Sequence, residues 1–301
     1  MSGVKYDSRQ VVPGDLFVAR RGSQDDGHYF IADALRRGAI AVVHERELPN
    51  YDPSVCYLQV SNAPSTLAAA SAWSTGDPAN HLLLVGVTGT DGKSSTAWFT
   101  KILLDQLGVP AGLVSSVYVD DGTGVKDSPW RLSTPEAPEL HGLLATMVDH
   151  SLSAAVIETT SIALALGRVE SLTFTAAAIT NITHEHLEFH GNWKRYRDAK
   201  AGLLDMLQDR LPNGLPGTSV INRDDATWEH LSNRFPKAQS FTTNPTSHRG
   251  GTVPDCTTEV DYASGSDLTL TVDLHGVRRR SRVQLRDPVQ AGNVAAACLL
   301  A

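Results

Sequence analysis

Residues Gly86 to Thr96 read G-V-T-G-T-D-G-K-S-S-T, behind the apolar run Leu82 to Val85 and ahead of a helical pattern. A buried strand, a glycine turn and a helix start, in that order, can cradle the phosphates of a nucleotide. Gly89 and Gly92 let the backbone turn tightly and aim N–H groups inward. Lys93 can reach the outer phosphates, and the Ser94 hydroxyl suits Mg²⁺. Val87 stands where the common P-loop pattern has its first glycine, five residues before Gly92. A glycine turn with no nucleotide is the competing reading. The K-S pair opening a helix behind a buried strand weighs against it.

Other reactive side chains fall near the C-terminal ends of expected strands, where ligands bind in open α/β sheets. Glu158 ends A-A-V-I-E and precedes Thr159, Thr160 and Ser161. It can hold Mg²⁺ directly or cap the next segment. T-H-E-H-L-E-F-H places His184, His186 and His190 within seven residues, but the zinc-protease spacing H-E-x-x-H fails from either start. One histidine beside a nucleotide-bound Mg²⁺ suits this triplet better than a zinc cage. Lys200, in Y-R-D-A-K, is by its residues alone either a surface lysine or part of the site.

Positioning these groups requires alternating strands and helices. Strands are expected at Leu82–Val87, Ala154–Glu158, Thr175–Asn181 and Ser219–Asn222, with helices at Ser94–Leu107 and Asn192–Leu207. That order gives a mainly parallel sheet flanked by helices. Leu268–Leu274 and Ser281–Leu285 form an appended hairpin around His275-Gly276. Before this lies a smaller unit, with strands at Asp15–Ala19, Ile40–His44 and Tyr57–Val60 and helices at Phe30–Arg37 and Ser65–Trp73. Its end falls at the linker-like S-T-G-D-P, Ser74 to Pro78, so the domains are expected at 1–78 and 79–301. From about Gln290 an apolar helix runs to the last residue without a polar finish, which reads as a fragment whose end a further part should cover.

Composition narrows the class. The 301 residues are 41% hydrophobic and 20% charged, as in a globular α/β chain. A net charge of −7 argues against a nucleic-acid groove. The basic run Arg278–Arg280 with Arg282 sits in an alternating pattern and reads as a solvated edge. Three cysteines without metal-like spacing read as reduced thiols of a cytoplasmic protein. No apolar run approaches the ~18 residues of a membrane helix, and the polar N-terminus is no signal peptide.

Taken together, these motifs resemble those of the Mur ligases, ATP-dependent amide ligases of peptidoglycan precursor synthesis, and most closely those of the member that adds the third peptide residue. D-S-R-Q-V-V-P-G-D-L-F-V-A (Asp7 to Ala19), D-G-H-Y-F-I and G-A-I-A-V-V resemble the UDP-binding first domain. T-G-T-D-G-K-S-S looks like the Mur form of the P-loop. S-T-P-E (Ser133 to Glu136), E-T-T-S (Glu158 to Ser161), G-R-V (Gly167 to Val169) and T-N-I-T-H-E-H-L-E-F-H-G follow in the family's order.

The resemblance implies roles. Gly89, Thr90, Asp91, Gly92, Lys93, Ser94 and Ser95 would hold ATP, and Asn293 would approach its adenine, with Asn222 and Asp224 nearby. Ser8, Ser23, Gln24 and Asp25 would contact the uridine diphosphate end. Ser133, Thr134, Thr160 and Arg168 would hold the sugar-peptide part. Ser94, Glu158 and His186 would be Mg²⁺ ligands, and Lys200 would carry a CO₂-derived carbamate beside a second Mg²⁺. Lys93, His186 and Lys200 would be the catalytic set. The implied partners are a UDP-muramoyl dipeptide and a free amino acid, with no nucleic acid or membrane, acting on a monomer.

Four positions depart from the family's pattern. The family usually has Asn at Asp91, His at Ile162, and Asp at Glu185 and Glu188. The third domain, which selects the amino acid, is absent from these residues, so this chain alone should bind without turning over. Two alternatives stand beside this reading: another amide ligase of the same group, and a non-catalytic nucleotide-binding relative. Retention of Lys93, Glu158, His186 and Lys200 argues against the second.

Overall fold

The computed structural model describes residues 1–22, 25–130, 133–185, 187–209, 211, 216–244, 246, 252–262, 268–283, 285 and 287–301. It is an α/β chain with two compact units. The first comprises Met1–His81, Pro135–Thr146 and Ala165–Leu172; the second comprises Leu82–Thr134, Met147–Leu164 and Thr173–Ala301. A cut at residue 78 is continuous in sequence, whereas here two later segments cluster with the first unit.

In the first unit β1 (Val4–Lys5), β2 (Leu16–Val18), β3 (Ala41–His44) and β4 (Cys56–Gln59) pair in that order, all parallel. The helix α1 (Ile31–Arg36) provides the crossover from β2 to β3, and α2 (Ala63–Ser74) follows β4 and packs against the sheet. β2 is buried along its whole length, and Val18, Val43, Leu67 and Ala68 share one core cluster. Asn62 caps α2 by accepting from Ser65 N at 3.0 Å, and Pro64 lies in its first turn, where a missing N–H costs nothing.

The second unit is built on β5 (Leu83–Thr88), α3 (Lys93–Gln106), β6 (Ala111–Val114), β7 (Tyr118–Asp120) and β8 (Val125–Asp127). There follow α4 (Ala137–Asp149, mostly assigned to the first unit), β9 (Ala154–Glu158), α5 (Ser161–Ala165), β10 (Ala176–Ile179), α6 (Leu187–His190) and α7 (Trp193–Asp205). The chain continues through β11 (Thr218–Asn222), α8 (Trp228–Arg234), β12 (Gln239–Thr242), β13 (Cys256–Tyr262), β14 (Leu268–Leu274), β15 (Val277–Val283) and α9 (Gln290–Leu300). Among the described residues the sheet order is β15-β14-β13-β12-β11-β10-β5-β9-β6-β7-β8, parallel from β13 to β6 and antiparallel at both edges. β9 and β10 are buried at every position, and β5 at all but its first. Such central parallel strands read as continuous apolar runs because helices cover both faces.

One sequence expectation changes. The hairpin's second strand begins at Val277 rather than Ser281, because His275 (φ 49°) and Gly276 (φ 81°) make a two-residue turn that pairs Leu274 with Val277 at once. The apolar end of α9 packs within this unit, with Leu299 and Leu300 buried in the same core cluster as Val87, Ala97 and Cys256. The arginine run does lie on the edge strand β15, where Arg278 pairs with Glu259 (3.0 Å) and Arg280 with Asp261 (2.9 Å). Among the described residues no helix is long and apolar enough to cross a membrane.

Candidate functional site

The missing P-loop glycine has a structural reason. Val87 is not in the loop at all: it lies within β5, fully buried and paired with Glu158 of β9. The turn starts at Gly89 and ends at Gly92, which caps α3 with φ 79°. A side chain at Gly92 would collide with Asn293, so the position suits only glycine on both counts. Beyond it the first N–H groups of α3 have no intrahelical acceptor, and the helix dipole favours an anion there.

The loop is tied down from one side. Thr90 N donates to Asn181 O (2.8 Å), and the Thr90 hydroxyl meets the Tyr196 hydroxyl (2.9 Å) and accepts from Thr183 N (2.9 Å). Asp91 N donates to Asn181 Oδ1 (2.9 Å), while Asp91 O accepts from the Thr180 hydroxyl (2.6 Å) and Asn181 Nδ2 (2.9 Å). The Asp91 carboxylate itself belongs to an exposed residue. Both lysines end on loop carbonyls. Lys93 Nζ donates to Thr90 O (2.6 Å), and Lys200 Nζ donates to Gly89 O.

Lys200 is not a surface lysine. It is 2% exposed on α7, with its ammonium 4.6 Å from the centre of the Tyr196 ring. Burial, reinforced by the charge of Lys93, pulls its pKa down to about 7; Glu185, Asp91 and Glu158 oppose the shift. The Tyr196 hydroxyl, which also lies 3.4 Å from Glu185, is pushed by burial up to about 12 and stays protonated at neutral pH.

At the start of α3 the Ser94 hydroxyl donates to Glu158 Oε2 (2.8 Å), and Glu158 is 1% exposed. A hydroxyl and a buried carboxylate side by side at a phosphate loop form the hard-oxygen pair that Mg²⁺ takes together with phosphate oxygens and water. The donor set therefore fits that ion. Among the described residues no group of three His, Cys, Asp or Glu side chains could hold a metal on its own. The histidine triplet diverges: His184 stacks on Trp193, whereas buried His190 meets the Ser161 hydroxyl (3.1 Å). His186 lies outside the described residues, as do Ser23 and Gln24.

The Thr134 hydroxyl donates to Glu158 O (2.9 Å) and accepts from Thr160 N (3.1 Å), which joins S-T-P-E to E-T-T-S. Ser133 is half-buried beside it, and the Thr160 hydroxyl caps α5 at Ala163 N (3.1 Å). Ile162 is half-buried. Asn293 accepts from the Thr96 hydroxyl (3.3 Å) and lines an open cleft of about 450 Å³ with Thr180, Asn181, Asn222 and Asp224. Asp224 is held by Thr242 (2.5 Å) and Thr243 N (2.7 Å). Ser95 is half-buried in the first turn of α3.

In the first unit Ser8 and Asp25 line a second cleft, of about 780 Å³, with Tyr6, Arg20 and Tyr29. Arg168, 7% exposed, pairs with Glu136 (2.8 Å), and the same carboxylate oxygen takes Arg20 (3.0 Å). The sequence reading missed Tyr196, Asn181, Arg20 and the use made of Glu136. Asn181, Tyr196 and Glu136 lay inside quoted motifs, but their partners are distant in sequence and leave no local pattern.

A family model described as the Mur ligase middle domain matches residues 87–301. The chain belongs to the Mur ligase family. A second family model, the Mur ligase family catalytic domain, matches residues 1–70. The UDP-N-acetylmuramyl-tripeptide synthetase of Borreliella afzelii (strain PKo) is 39% identical over 247 residues, covering 80% of this chain and 48% of that protein. The UDP-N-acetylmuramoyl-L-alanyl-D-glutamate–2,6-diaminopimelate ligase of Chlorobaculum tepidum is 41% identical over 241 residues, covering 80% and 46%. The chain thus spans about half the length of the curated relatives it matches. A solved structure of a ligase of this second name superposes with a TM-score of 0.78 at 22% identity, over 99% of this chain and 58% of the other. The MurF ligase of Thermotoga maritima in complex with ADP gives 0.64, also at 22% identity, over 98% and 61%. At that identity the two structures establish the shared Mur fold.

Proposed function

We propose that this chain provides the UDP-substrate and ATP-binding parts of a cytoplasmic ligase that adds the third amino acid to UDP-N-acetylmuramoyl-L-alanyl-D-glutamate. The observation that carries the proposal is the convergence of the glycine loop, Ser94 beside Glu158, and a buried Lys200 poised near neutrality. The names of relatives about 40% identical support the choice of substrate.

In this reading a carboxylate of the D-glutamate of the substrate attacks the γ-phosphorus of ATP. A P–O bond forms, the bond to the ADP oxygen breaks, and an acyl phosphate results. The amine of the incoming amino acid then displaces phosphate and leaves an amide. The loop N–H groups bind phosphate oxygens, and Lys93 exchanges the Thr90 carbonyl for one of them, so that positive charge meets the charge developing in transfer. Ser94 and Glu158 would hold Mg²⁺, which when bound neutralises phosphate charge. The cleft at Asn293 would receive the adenine, and the cleft at Ser8 and Asp25 the uridine diphosphate. Ser133, Thr134, Thr160 and Arg168 would hold the muramoyl dipeptide, and His186 would complete the metal set.

Lys200 would act as a carbamate. Its low pKa leaves a large neutral fraction near pH 7, and only the neutral amine attacks CO₂ (R-NH₂ + CO₂ → R-NH-COO⁻ + H⁺). The product keeps one N–H for Gly89 O, and its negative charge converts the repulsion by Lys93 into attraction.

Three variants test the assignment. Lys93→Ala is expected to weaken Mg²⁺-ATP binding to this chain by roughly 1–3 kcal/mol, the scale of a lost charge-assisted hydrogen bond. Equal heats for both proteins in calorimetry would remove the phosphate-loop reading. Ser8→Ala is expected to weaken UDP itself. Arg168→Ala should spare UDP and weaken the UDP-muramoyl dipeptide by a similar 1–3 kcal/mol. Unchanged dipeptide affinity in the arginine variant would overturn the substrate mapping.

A further inference from the structure

Glu158 does not depend on Ser94 alone for its orientation. Its Oε2 also accepts from Ser116 N (2.9 Å) and from the Ser116 hydroxyl (3.2 Å), and the two serine hydroxyls lie 3.0 Å apart. Ser116 stands in the turn between β6 and β7, and neighbouring Ser115 sets that turn. The Ser115 hydroxyl donates to Tyr118 O (2.8 Å) and accepts from Tyr118 N (3.0 Å). Ser115 is buried, while Ser116 is exposed at the residue level yet aims both its N–H and its hydroxyl at one carboxylate oxygen.

We infer that Ser116 is a positioning residue for the cation that accompanies the nucleotide: it pins one oxygen of Glu158 and leaves the other to face the ion or its water. The inference rests on the nucleotide-site reading above and extends it to a residue on a different loop. Three donors converging on Oε2 restrict rotation of the carboxylate, and a fixed ligand oxygen gives up less freedom when a cation binds. Mg²⁺ demands near-ideal geometry, so a partner that orients its ligand changes affinity for the ion more than affinity for the nucleotide's other groups. Ser94 serves as both donor and ligand and cannot do this alone, because its position follows the start of α3.

The test is calorimetric titration of this chain with a non-hydrolysable ATP analogue over a series of Mg²⁺ concentrations, for the wild type, Ser116→Ala, Ser116→Thr and Lys93→Ala. Ser116→Ala keeps the backbone donor and removes only the hydroxyl. It is expected to raise the Mg²⁺ concentration for half-maximal binding about tenfold, the low end for loss of an outer-shell partner because the Ser116 backbone donor remains. Affinity at saturating Mg²⁺ should stay close to wild type, and Ser116→Thr, which restores a hydroxyl, should restore the midpoint. If Lys93→Ala weakens binding while Ser116→Ala leaves the Mg²⁺ midpoint unchanged, the role of Ser116 is overturned and the nucleotide site stands. An equal loss of analogue affinity at zero and saturating Mg²⁺ would also overturn it, as the mark of a structural change in the turn. If Lys93→Ala has no effect, the nucleotide-site reading falls first and this inference with it.

Discussion

In a chain extended to the length of its relatives, Lys200→Ala is expected to reduce ligation by at least about a hundredfold, the scale for loss of a group that orients a metal site or stabilises transferred charge. An ammonium next to Lys93 and a bound cation would be repelled by both, and its depressed pKa already registers the first of these repulsions. A carbamate reverses the sign. Formate or acetate is expected to restore part of the lost rate in Lys200→Ala by occupying the vacated anion position. Lys200→Arg should not respond, because its bulk and permanent charge fill that space. Product formation measured by chromatography, with and without added carboxylate, decides the matter. Full activity of Lys200→Ala without any supplement would return Lys200 to a structural role.

The second large effect is on stability, and the same lysine carries it. A lysine titrating near 10.5 in the unfolded chain and at about 7 in the folded one disfavours the folded state wherever both forms are protonated. The penalty is complete below pH 7. From pH 7 to 10.5 the unfolded chain binds more protons than the folded one, so this group's contribution to stability rises with pH; above 10.5 the penalty is gone. Lys200→Met, in CO₂-free buffer, is therefore expected to stabilise the chain at pH 6 by on the order of 5 kcal/mol. Near pH 10.5 it should change little. Denaturant unfolding of both proteins at the two pH values measures the difference, and a gain that is the same at both would mean that Lys200 is not held as a desolvated cation. A variant more stable and less active would mark the residue as one retained for chemistry at the expense of the fold.

How much of this was legible in the sequence follows from where the information lies. β5, β9 and β10 are central, covered on both faces, and therefore written as unbroken apolar runs. The glycine loop was legible because Gly92 meets a local demand, a left-handed φ in a turn between a buried strand and a helix start; its closeness to Asn293 is tertiary and left no mark. β7, β8, β12 and β13 were not read: the first two have only three residues each, with β8 at the sheet edge, and the others join the sheet with mixed polarity. Val87 already lay in the expected strand Leu82–Val87, and the structure carries that strand one residue further, to Thr88. Lys200 could not be told from a surface lysine by its residues, because its burial depends on Tyr196 beneath it and on Gly89, 111 positions earlier. Ser116 and the double use of Glu136 are products of tertiary pairing alone. Arg168 was read as a substrate contact, and its pairing with Glu136, which also holds Arg20, adds a function in ordering the first unit.

The most direct measurement is titration of this chain with UDP-N-acetylmuramoyl-L-alanyl-D-glutamate in the presence of Mg²⁺ and a non-hydrolysable ATP analogue, beside UDP alone and the UDP-muramoyl tripeptide that would be the product. The expected result is saturable binding of the dipeptide at one site, tighter than that of either UDP or the tripeptide. If the dipeptide gave no binding heat, or bound no better than UDP, the chain would not be the substrate-binding part of a third-residue ligase.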